Sequence, residues 1–269
     1  MDNFFDLLKE LVTLWLAAFG IQLVAYFLTT AIIIHGYRLF WDKGLSKYKI
    51  QKRDASRADI RREIKSSLRT IVVFSLIYVG IDYGSAAGFF TIYSSIEPLG
   101  VAYMLASMVV IFVVQDAYFY WTHRLMHHRR LFWLFHRTHH KSVTPTAYAC
   151  YSFDLPEAIL HGVFWPLWLL VVPMQLVAIL LAATLMFVRN VLGHSGVEIF
   201  SLAPRSSRWF GWFFTNADHD HHHTTVQYNF GLYFVWWDRL MGTEFPASRD
   251  QARGRLEIVE DDTFHEMKI

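Results

Sequence analysis

The sequence predicts an all-α fold, a multi-pass membrane helical bundle of four to five spanning or hairpin helices with a cytoplasmic histidine-rich metal cap. Three observations predict it: long apolar stretches, one basic loop and three short runs of histidine. The chain has 269 residues, of which 54% are hydrophobic and 18% are charged. Because this composition is too apolar for an ordinary soluble domain, it indicates a membrane protein. We expect residues 1–269 to form a single membrane-embedded domain.

Apolar stretches long enough to cross a bilayer recur along the chain. Residues 11–34 contain no charged residue, and about 20 apolar residues are enough to cross the hydrocarbon. Charged residues precede this stretch and no cleavage site is evident, so we expect a retained helix rather than a signal peptide. Further spans are predicted at 71–93, 98–122, 155–172 and 174–192. The last two form either a full hairpin or a pair that only dips into the bilayer.

The distribution of Lys and Arg predicts the orientation. The loop 35–70 carries eleven of them, whereas 94–97 and 171–175 carry none. Loops rich in Lys and Arg stay in the cytoplasm, so alternation places 123–154 and the chain after 193 there as well. We therefore expect an integral protein of a bacterial cytoplasmic membrane or the endoplasmic reticulum. The basic loop indicates a topology signal or contact with the membrane surface, and not nucleic-acid binding.

Three runs hold ten of the fourteen histidines: HRLMHH at 123–128, HRTHH at 136–140 and HDHHH at 219–223. Residues three or four apart share one face of a helix, so each run can direct several imidazoles to one point. Imidazole is the commonest metal ligand. Eight histidines have this spacing, too many for one ion and about right for two. They are His123, His127, His136, His139, His140, His219, His222 and His223.

The runs can meet only if the chain folds back on itself. His123 and His136 are separated by thirteen residues, about 20 Å along an unbroken helix. Ligands of one dimetal centre cannot lie that far apart, so we expect a turn around 128–130. The third run must then fold over the other two, which builds a cap where the membrane helices end.

Other histidines fit the pattern less well. His128 and His221 lie outside the three/four spacing, and each is either a further ligand or a residue facing solvent or the ligands. His194, in GHSG at 193–196, is isolated in sequence, yet it follows the last span at the level of the runs. We assign no role to the three that remain: His35, His161 and His265.

Three acidic residues are candidates to hold the metal ligands. A metal-bound histidine usually donates its second ring N–H to a carboxylate or a backbone carbonyl. Asp116 lies seven residues before His123 on the same helical face, and an acid inside a membrane span is costly and usually functional. Asp220 and Asp238 are similar candidates, with capping or surface charge as equally good explanations. The single cysteine, Cys150, excludes an internal disulfide and a cysteine-ligated iron–sulfur cluster.

The order HxxxHH, HxxHH, HxxHH after apolar spans resembles the sterol desaturase/fatty acid hydroxylase superfamily of membrane di-iron enzymes. The resemblance covers about 45–245 and is nearest to the C-5 sterol desaturase branch. Its further motifs are KYKIQ at 47–51, RREIKSSL at 61–68, DAYFYWTHRLMHH at 116–128, GHSG at 193–196 and HDHHHTTVQYNFGLYFVWWDRLMGTEF at 219–245.

This resemblance implies two iron ions held by the eight histidines named above, with His194 close to the metal and His128 at a variable position. It implies O2 as co-substrate and a membrane lipid as substrate. No fused cytochrome b5 segment is evident, so electrons are expected from an external donor of the cytochrome b5, ferredoxin or reductase type.

The expected activity is O2-dependent desaturation or hydroxylation of a sterol-like or other membrane lipid. Oxidising an unactivated C–H bond is beyond amino-acid side chains and requires a cofactor. Two alternatives remain. A zinc-dependent membrane hydrolase would need only three protein ligands, and a metal transporter would place its ligands near the bilayer midplane. The histidines are too many for the first and too near the helix ends for the second.

Overall fold

The computed structural model describes residues 2–96, 99–199 and 211–248, and they form a mostly helical bundle. His265 and the first residue of the predicted span 98–122 lie outside these ranges. The helices are α1 (Asp2–Trp41), α2 (Arg57–Ala86), α3 (Gly100–Met126), α4 (Phe132–Phe135), α5 (Arg137–His140), α6 (Leu155–Gly162), α7 (Phe164–Val171), α8 (Leu176–Gly193), α9 (Asn216–Thr225) and α10 (Trp236–Met241). Short 3-10 helices cover Leu45–Tyr48 and Ala147–Tyr151.

Four helices, α1, α2, α3 and α8, are long and apolar enough to cross a membrane, which confirms the predicted multi-pass bundle. The predicted boundaries 71–93 for the second span were wrong, because α2 runs from Arg57 to Ala86. Ser56 and Asp59 cap its start reciprocally, each side chain bonding to the backbone N–H of the other. Apolar composition locates the hydrocarbon segment, whereas the cap sets the beginning of the helix.

The predicted pair 155–172 and 174–192 is not a symmetric hairpin. Only α8 has the length of a span, while the apolar segment Leu155–Val171 is shorter and is broken between α6 and α7. Gly162 lies at this break, where an added Cβ would collide with the side chain of Ile77 in α2. The glycine therefore allows α6 to pack closely against α2 beneath the histidine-bearing segments.

The two ends of the bundle differ in structure. At one end, β1 (Ile92–Tyr93) and β2 (Met174–Gln175) form a short parallel pair. At the other end, the basic loop meets the chain that follows α8. There, the N–H of Ile50 donates to the carbonyl of Gly196 at 3.0 Å, and that of Glu198 donates to Tyr48 at 2.8 Å. The basic loop and the GHSG motif thus lie at one end, as the topology predicts.

Candidate metal centre

The histidines converge into two compact groups within the described part of the chain. The group of five contains His123, His127, His136, His140 and His222, and the group of four contains His139, His194, His219 and His223. Within each group the candidate ligand atoms all lie within 4.8 Å of one another. All but His127 are buried. The second run therefore divides between the groups, and so does the third.

Four chain segments bring these side chains together. His123 lies in the last turn of α3, and His127 is the residue that caps it. The chain then reverses through 127–131, where the predicted turn is found, and α5 presents the second run. Helix α9 carries the third run, and its start is capped reciprocally by Thr215 and Asp218. His194 caps the end of α8.

The spacing of the imidazole nitrogens fits metal coordination. In the group of five, Nε2 of His136 lies 3.0 Å from that of His123, and Nε2 of His140 lies 3.1 Å from those of His127 and His222. In the group of four the corresponding distances are 2.9–3.3 Å. Two nitrogens each ~2.1 Å from one ion lie about 3.0 Å apart at a right angle and about 3.4 Å apart at a tetrahedral angle. The geometry thus fits one first-row metal ion in each group.

The opposite ring nitrogens are held by hydrogen bonds that point Nε2 inward. Nδ1 of His123 donates to the carbonyl of Phe230 at 3.0 Å, and Nδ1 of His222 donates to that of Tyr228 at 2.7 Å. Nδ1 of His194 donates to the carbonyl of Asn190 in its own helix at 2.8 Å. A donating Nδ1 leaves Nε2 as the free lone pair, which is the tautomer that binds metal.

Burial keeps these imidazoles neutral at physiological pH. It lowers the pKa of His127 to about 2 and the pKa values of His194 and His222 to about 4. The pKa values of His139 and His219 are lowered for the same reason, with neighbouring imidazoles adding to the effect. Because a metal binds the neutral ring, no proton must be displaced from these Nε2 atoms at pH 7.

The predicted carboxylates lie near the site, but none of the three hydrogen-bonds a histidine among the described residues. Asp116 accepts from the backbone N–H of Tyr233 at 2.8 Å and from Nε1 of Trp236 at 2.5 Å. Asp220 accepts from Nε2 of Gln51 at 2.6 Å. The expectation that these acids orient ligands directly is therefore corrected: their role is to fasten the surrounding chain.

Asp238 fastens the loop that holds His123. It accepts from the N–H groups of Phe230 and Gly231, both at 2.9 Å. Because the carbonyl of Phe230 receives Nδ1 of His123, Asp238 acts on the ligand through one backbone segment. Burial raises the pKa of Asp238 to about 7.

The turn after α9 is strained where it meets the site. Val226 has φ 56°, a left-handed conformation that is unfavourable for a β-branched residue. Its N–H donates to the carbonyl of the ligand candidate His222 at 2.8 Å. Such strain persists only where the surrounding structure holds the residue in that conformation. Strained residues of this kind are common at functional sites.

The carboxylate that does touch a histidine of the site is Glu157, which sequence reasoning missed. Its Oε1 accepts from Nδ1 of His136 at 2.6 Å, and the residue is fully buried. A signal was present, because Glu157 is an acid in an apolar segment and lies four residues before His161. Like Asp116, it is an acid inside an apolar segment, which is costly and usually functional.

The histidines that lie outside the three/four spacing differ in whether they belong to one of the two groups. His194, isolated in sequence, joins the group of four. His128 is exposed and belongs to neither group. His221 is buried against the ring of Phe245, with centroids 3.7 Å apart, and also lies outside the groups. His161 packs beside the site, with Nε2 3.7 Å from Glu157.

A cavity lies against both groups. One histidine of the group of five and three of the group of four line it, together with Arg189, Asn190 and apolar side chains such as Phe119, Phe153, Phe214 and Leu232. Glu157 and His161 are polar residues of its wall. Its surface is mostly apolar, and its free volume of about 20 Å³ holds about one water-sized molecule.

The fold and site together define a helical membrane protein with two adjoining imidazole groups at one end of the bundle, each of which could hold a metal ion. The family model described as fatty acid hydroxylase matches residues 108–243, just over half of the chain and all three histidine runs. The chain belongs to this fatty acid hydroxylase family, which confirms the resemblance seen in the sequence.

Curated relatives extend the similarity over more of the chain. Human lathosterol oxidase is 24% identical over 96% of this chain and 83% of its own length. A Delta(7)-sterol 5(6)-desaturase of Gibberella zeae is 28% identical over 68% of this chain, and the match spans 55% of that fungal protein. A Delta(7)-sterol 5(6)-desaturase of Schizosaccharomyces pombe is 26% identical over 78% and 66%. The chain is thus a homologue of oxidoreductases. No solved structure matches it.

Proposed function

We propose that this protein is an O2-dependent di-iron oxidase that desaturates or hydroxylates an unactivated C–H bond of a sterol-like or other membrane lipid. The observation that carries the proposal is the pair of imidazole groups beside an apolar cavity. The relatives, which are named as sterol desaturases and a lathosterol oxidase, support a sterol-like substrate.

The proposed ligands are the nine histidines of the two groups, that is, the eight at the three/four spacing together with His194. An all-nitrogen donor set suits iron, zinc, copper and nickel, and we propose iron because the family resemblance implies it. Two iron ions would supply the O2-dependent oxidising chemistry that amino-acid side chains lack.

The chain's own residues supply position and an apolar environment. The backbone carbonyls of Phe230, Tyr228 and Asn190, together with Glu157, hold the imidazoles in one tautomer. Aromatic side chains of the cavity, such as Phe119 and Phe153, make the region beside the imidazoles apolar. We further propose that electrons come from an external donor of the cytochrome b5, ferredoxin or reductase type. We also propose that the site lies on the cytoplasmic side of the membrane.

Two other functions are less well supported by the structure. A zinc hydrolase needs three ligands and an open water position, which does not account for nine converging histidines. A transporter would hold its ligands along a path near the bilayer midplane, whereas here they follow the ends of α3 and α8.

Metal analysis combined with O2 uptake tests the proposal. Protein from iron-replete cells should hold two iron ions per chain, one in each group, with zinc competing in overproduced material. Lipid-dependent O2 consumption should accompany a mass loss of two for desaturation or a gain of sixteen for hydroxylation. One metal per chain in fully loaded protein, oxygen-independent hydrolysis of a lipid ester, or metal flux in vesicles would contradict it.

A further inference from the structure

We infer that a patch of exposed residues between the first two histidine runs binds the anionic phospholipids of the adjoining membrane leaflet. Its members are Arg129, Arg130, Trp133, Leu134 and Arg137, and all five are exposed. We call this patch the arginine–tryptophan surface. None of the five belongs to either histidine group or lines the cavity, so the inference is independent of the proposed oxidation.

The first observation is that α4 has two different sides. The ring of Phe132 contacts the imidazoles of His127 and His140, with ring centroids 5.5 Å and 5.6 Å apart. Trp133 and Leu134, in contrast, are 66% and 60% exposed although both are large and apolar. Adjacent exposed side chains of this kind indicate contact with an apolar partner outside the chain.

The second observation is that membrane-facing surfaces adjoin α4. Helix α3 is a candidate span, and its last two turns carry the exposed side chains of Trp121 and Leu125. The chain reverses through 127–131, so α4 begins close to the end of this span. Helix α6, which packs against α4, exposes Leu155 and Ile159. Tryptophan is enriched at the boundary between hydrocarbon and water, so the exposed ring of α4 lies at a depth that suits it.

The third observation is the charge around these apolar residues. Between Asp116 and Asp154 the sequence holds five Lys and Arg and no acidic residue. Three of the five, Arg129, Arg130 and Arg137, belong to the arginine–tryptophan surface and form no ion pair with a described residue. Such an excess of positive charge beside a membrane span attracts anionic lipids.

An anionic phospholipid matches both the charge and the apolar side chains. The guanidinium group of Arg137 lies 4.6 Å from the centroid of the Trp133 ring, so charge and apolar surface are presented together. Guanidinium groups bind phosphate, while tryptophan and leucine side chains enter the region between head groups and acyl chains. An acidic soluble protein would pair with the arginines, but Trp133 and Leu134 would face water whenever that protein is absent.

The first test measures the depth of a fluorescent label at position 134 in the full chain reconstituted into nanodiscs. Cys150 is fully buried, so Leu134→Cys adds the thiol that a labelling reagent can reach. Phospholipids with a nitroxide near the head group should quench this label more strongly than those with a nitroxide near the chain end. Val109→Cys, at an exposed position in the middle of α3, should show the reverse order. Asp54→Cys, where the side chain is 87% exposed, gives the aqueous level of quenching.

The second test compares nitroxide lipids that differ only in the head group. At equal mole fraction, phosphatidylglycerol should occupy the lipid positions next to residue 134 at least about threefold more often than phosphatidylcholine. This ratio should fall at high salt, which screens the attraction. It should fall to about one in the variant that combines Arg129→Gln, Arg130→Gln and Arg137→Gln.

The matched control removes the same charge from exposed positions of the basic loop. It combines Lys43→Gln, Lys47→Gln and Arg61→Gln. Its ratio at residue 134 should equal that of the parent, because the removed charges lie outside the arginine–tryptophan surface. Metal content, measured in parallel, shows that each variant is folded.

A label at 134 that is quenched no more than the label at 54 would overturn the inference, since the surface would then face water and be open to an acidic protein. Equal occupancy by the two head groups in the parent would overturn it as well, as would a ratio that is insensitive to salt. A ratio unchanged in the arginine variant, or reduced equally by the basic-loop control, would mean that this surface does not select the lipid. The proposed oxidase function is judged separately, by iron content and lipid-dependent O2 uptake.

Discussion

The two histidine groups are supported differently by the rest of the chain. In the group of five, three histidines donate through Nδ1 to Phe230, Tyr228 and Glu157, which belong to other segments. In the group of four, His194 donates to a carbonyl of its own helix. Nδ1 of His139 and of His223, like Nδ1 of His140 in the group of five, has no hydrogen-bond partner in the described part of the chain. We therefore expect the group of five to be the more rigid site and to hold its metal more tightly.

The supports also come from different parts of the molecule. The loop 226–235 holds the group of five and is fastened to α3 and α10 by Asp116 and Asp238. The group of four depends on the end of α8 and on the basic loop, which pairs with 196–198. Mutations in these supports should therefore affect one group more than the other.

Removing one proposed ligand from either group should have the largest effect. His222→Ala removes a ligand of the group of five, and His139→Ala removes one of the group of four. Each should lower lipid oxidation by more than about 100-fold and bring the iron content towards one ion per chain. Both variants should remain in the membrane, because the spanning helices satisfy their own backbone hydrogen bonds. Retained activity in either variant would show that its group is not catalytic.

His194→Ala tests whether the isolated histidine belongs to the metal site. Loss of its imidazole should lower metal content or activity at least about tenfold, with the loss confined to the group of four. His128→Ala is the matched control, since that side chain is exposed and outside both groups, and it should behave like the parent. If His194→Gln also matches the parent in both assays, His194 is only a packing residue.

Gly231→Ala should disturb the group of five selectively. An added Cβ would lie 2.6 Å from the carbonyl oxygen of Phe234 and 2.9 Å from Oδ2 of Asp238, so the loop must shift. The shift would move the carbonyl of Phe230, which holds His123. We expect a stability loss of about 1–3 kcal/mol and a severalfold faster loss of one metal, measured by chelator-induced release. Equal acceleration of both metals would contradict the division of supports.

The sequence was sufficient for the parts of this structure that depend on local spacing. Four spans follow from apolar length, and the turn near His128 follows from the distance between His123 and His136. These two inferences used only residues near one another in the chain or the known length of a helix. The position of His194 was indicated by its place at the end of a span together with the family resemblance, because an isolated histidine near a span is more often a structural residue.

Hydrogen-bond partners that come from other segments could not be predicted from the sequence in the same way. Glu157 meets His136 across a change of helix, and Phe230 and Tyr228 act through backbone carbonyls, which every residue has. The left-handed conformation of Val226 contradicts its own preference and is imposed by the packing around it. The sequence marks Glu157 as an acid in an apolar segment, but which residue it contacts is a property of the folded chain.

The smallest expected effect comes from Gln51, which joins the basic loop to two histidine-bearing segments. Its Nε2 donates to Asp220 in α9 at 2.6 Å and to the carbonyl of Val143, just after the second run, at 2.8 Å. Its Oε1 accepts from Thr144 at 2.8 Å. One amide thus ties the segments that carry the second and third runs to the loop that pairs with 196–198.

Both of these runs contribute to both groups, but the basic loop also pairs with 196–198 beside His194 of the group of four. Gln51→Ala should therefore loosen the group of four more than the group of five. The lost bonds, of which one is to a carboxylate, are worth about 1–3 kcal/mol, and Asp220 would lose its partner for both oxygens. Release of one metal to a chelator should accelerate about three- to tenfold, while the other metal is released at the parental rate. The control is Asp220→Asn, whose amide oxygen still accepts from Gln51 and whose release rates should stay within about twofold of the parent. Faster release of both metals from Gln51→Ala would mean that the basic loop supports both histidine groups and not the group of four alone.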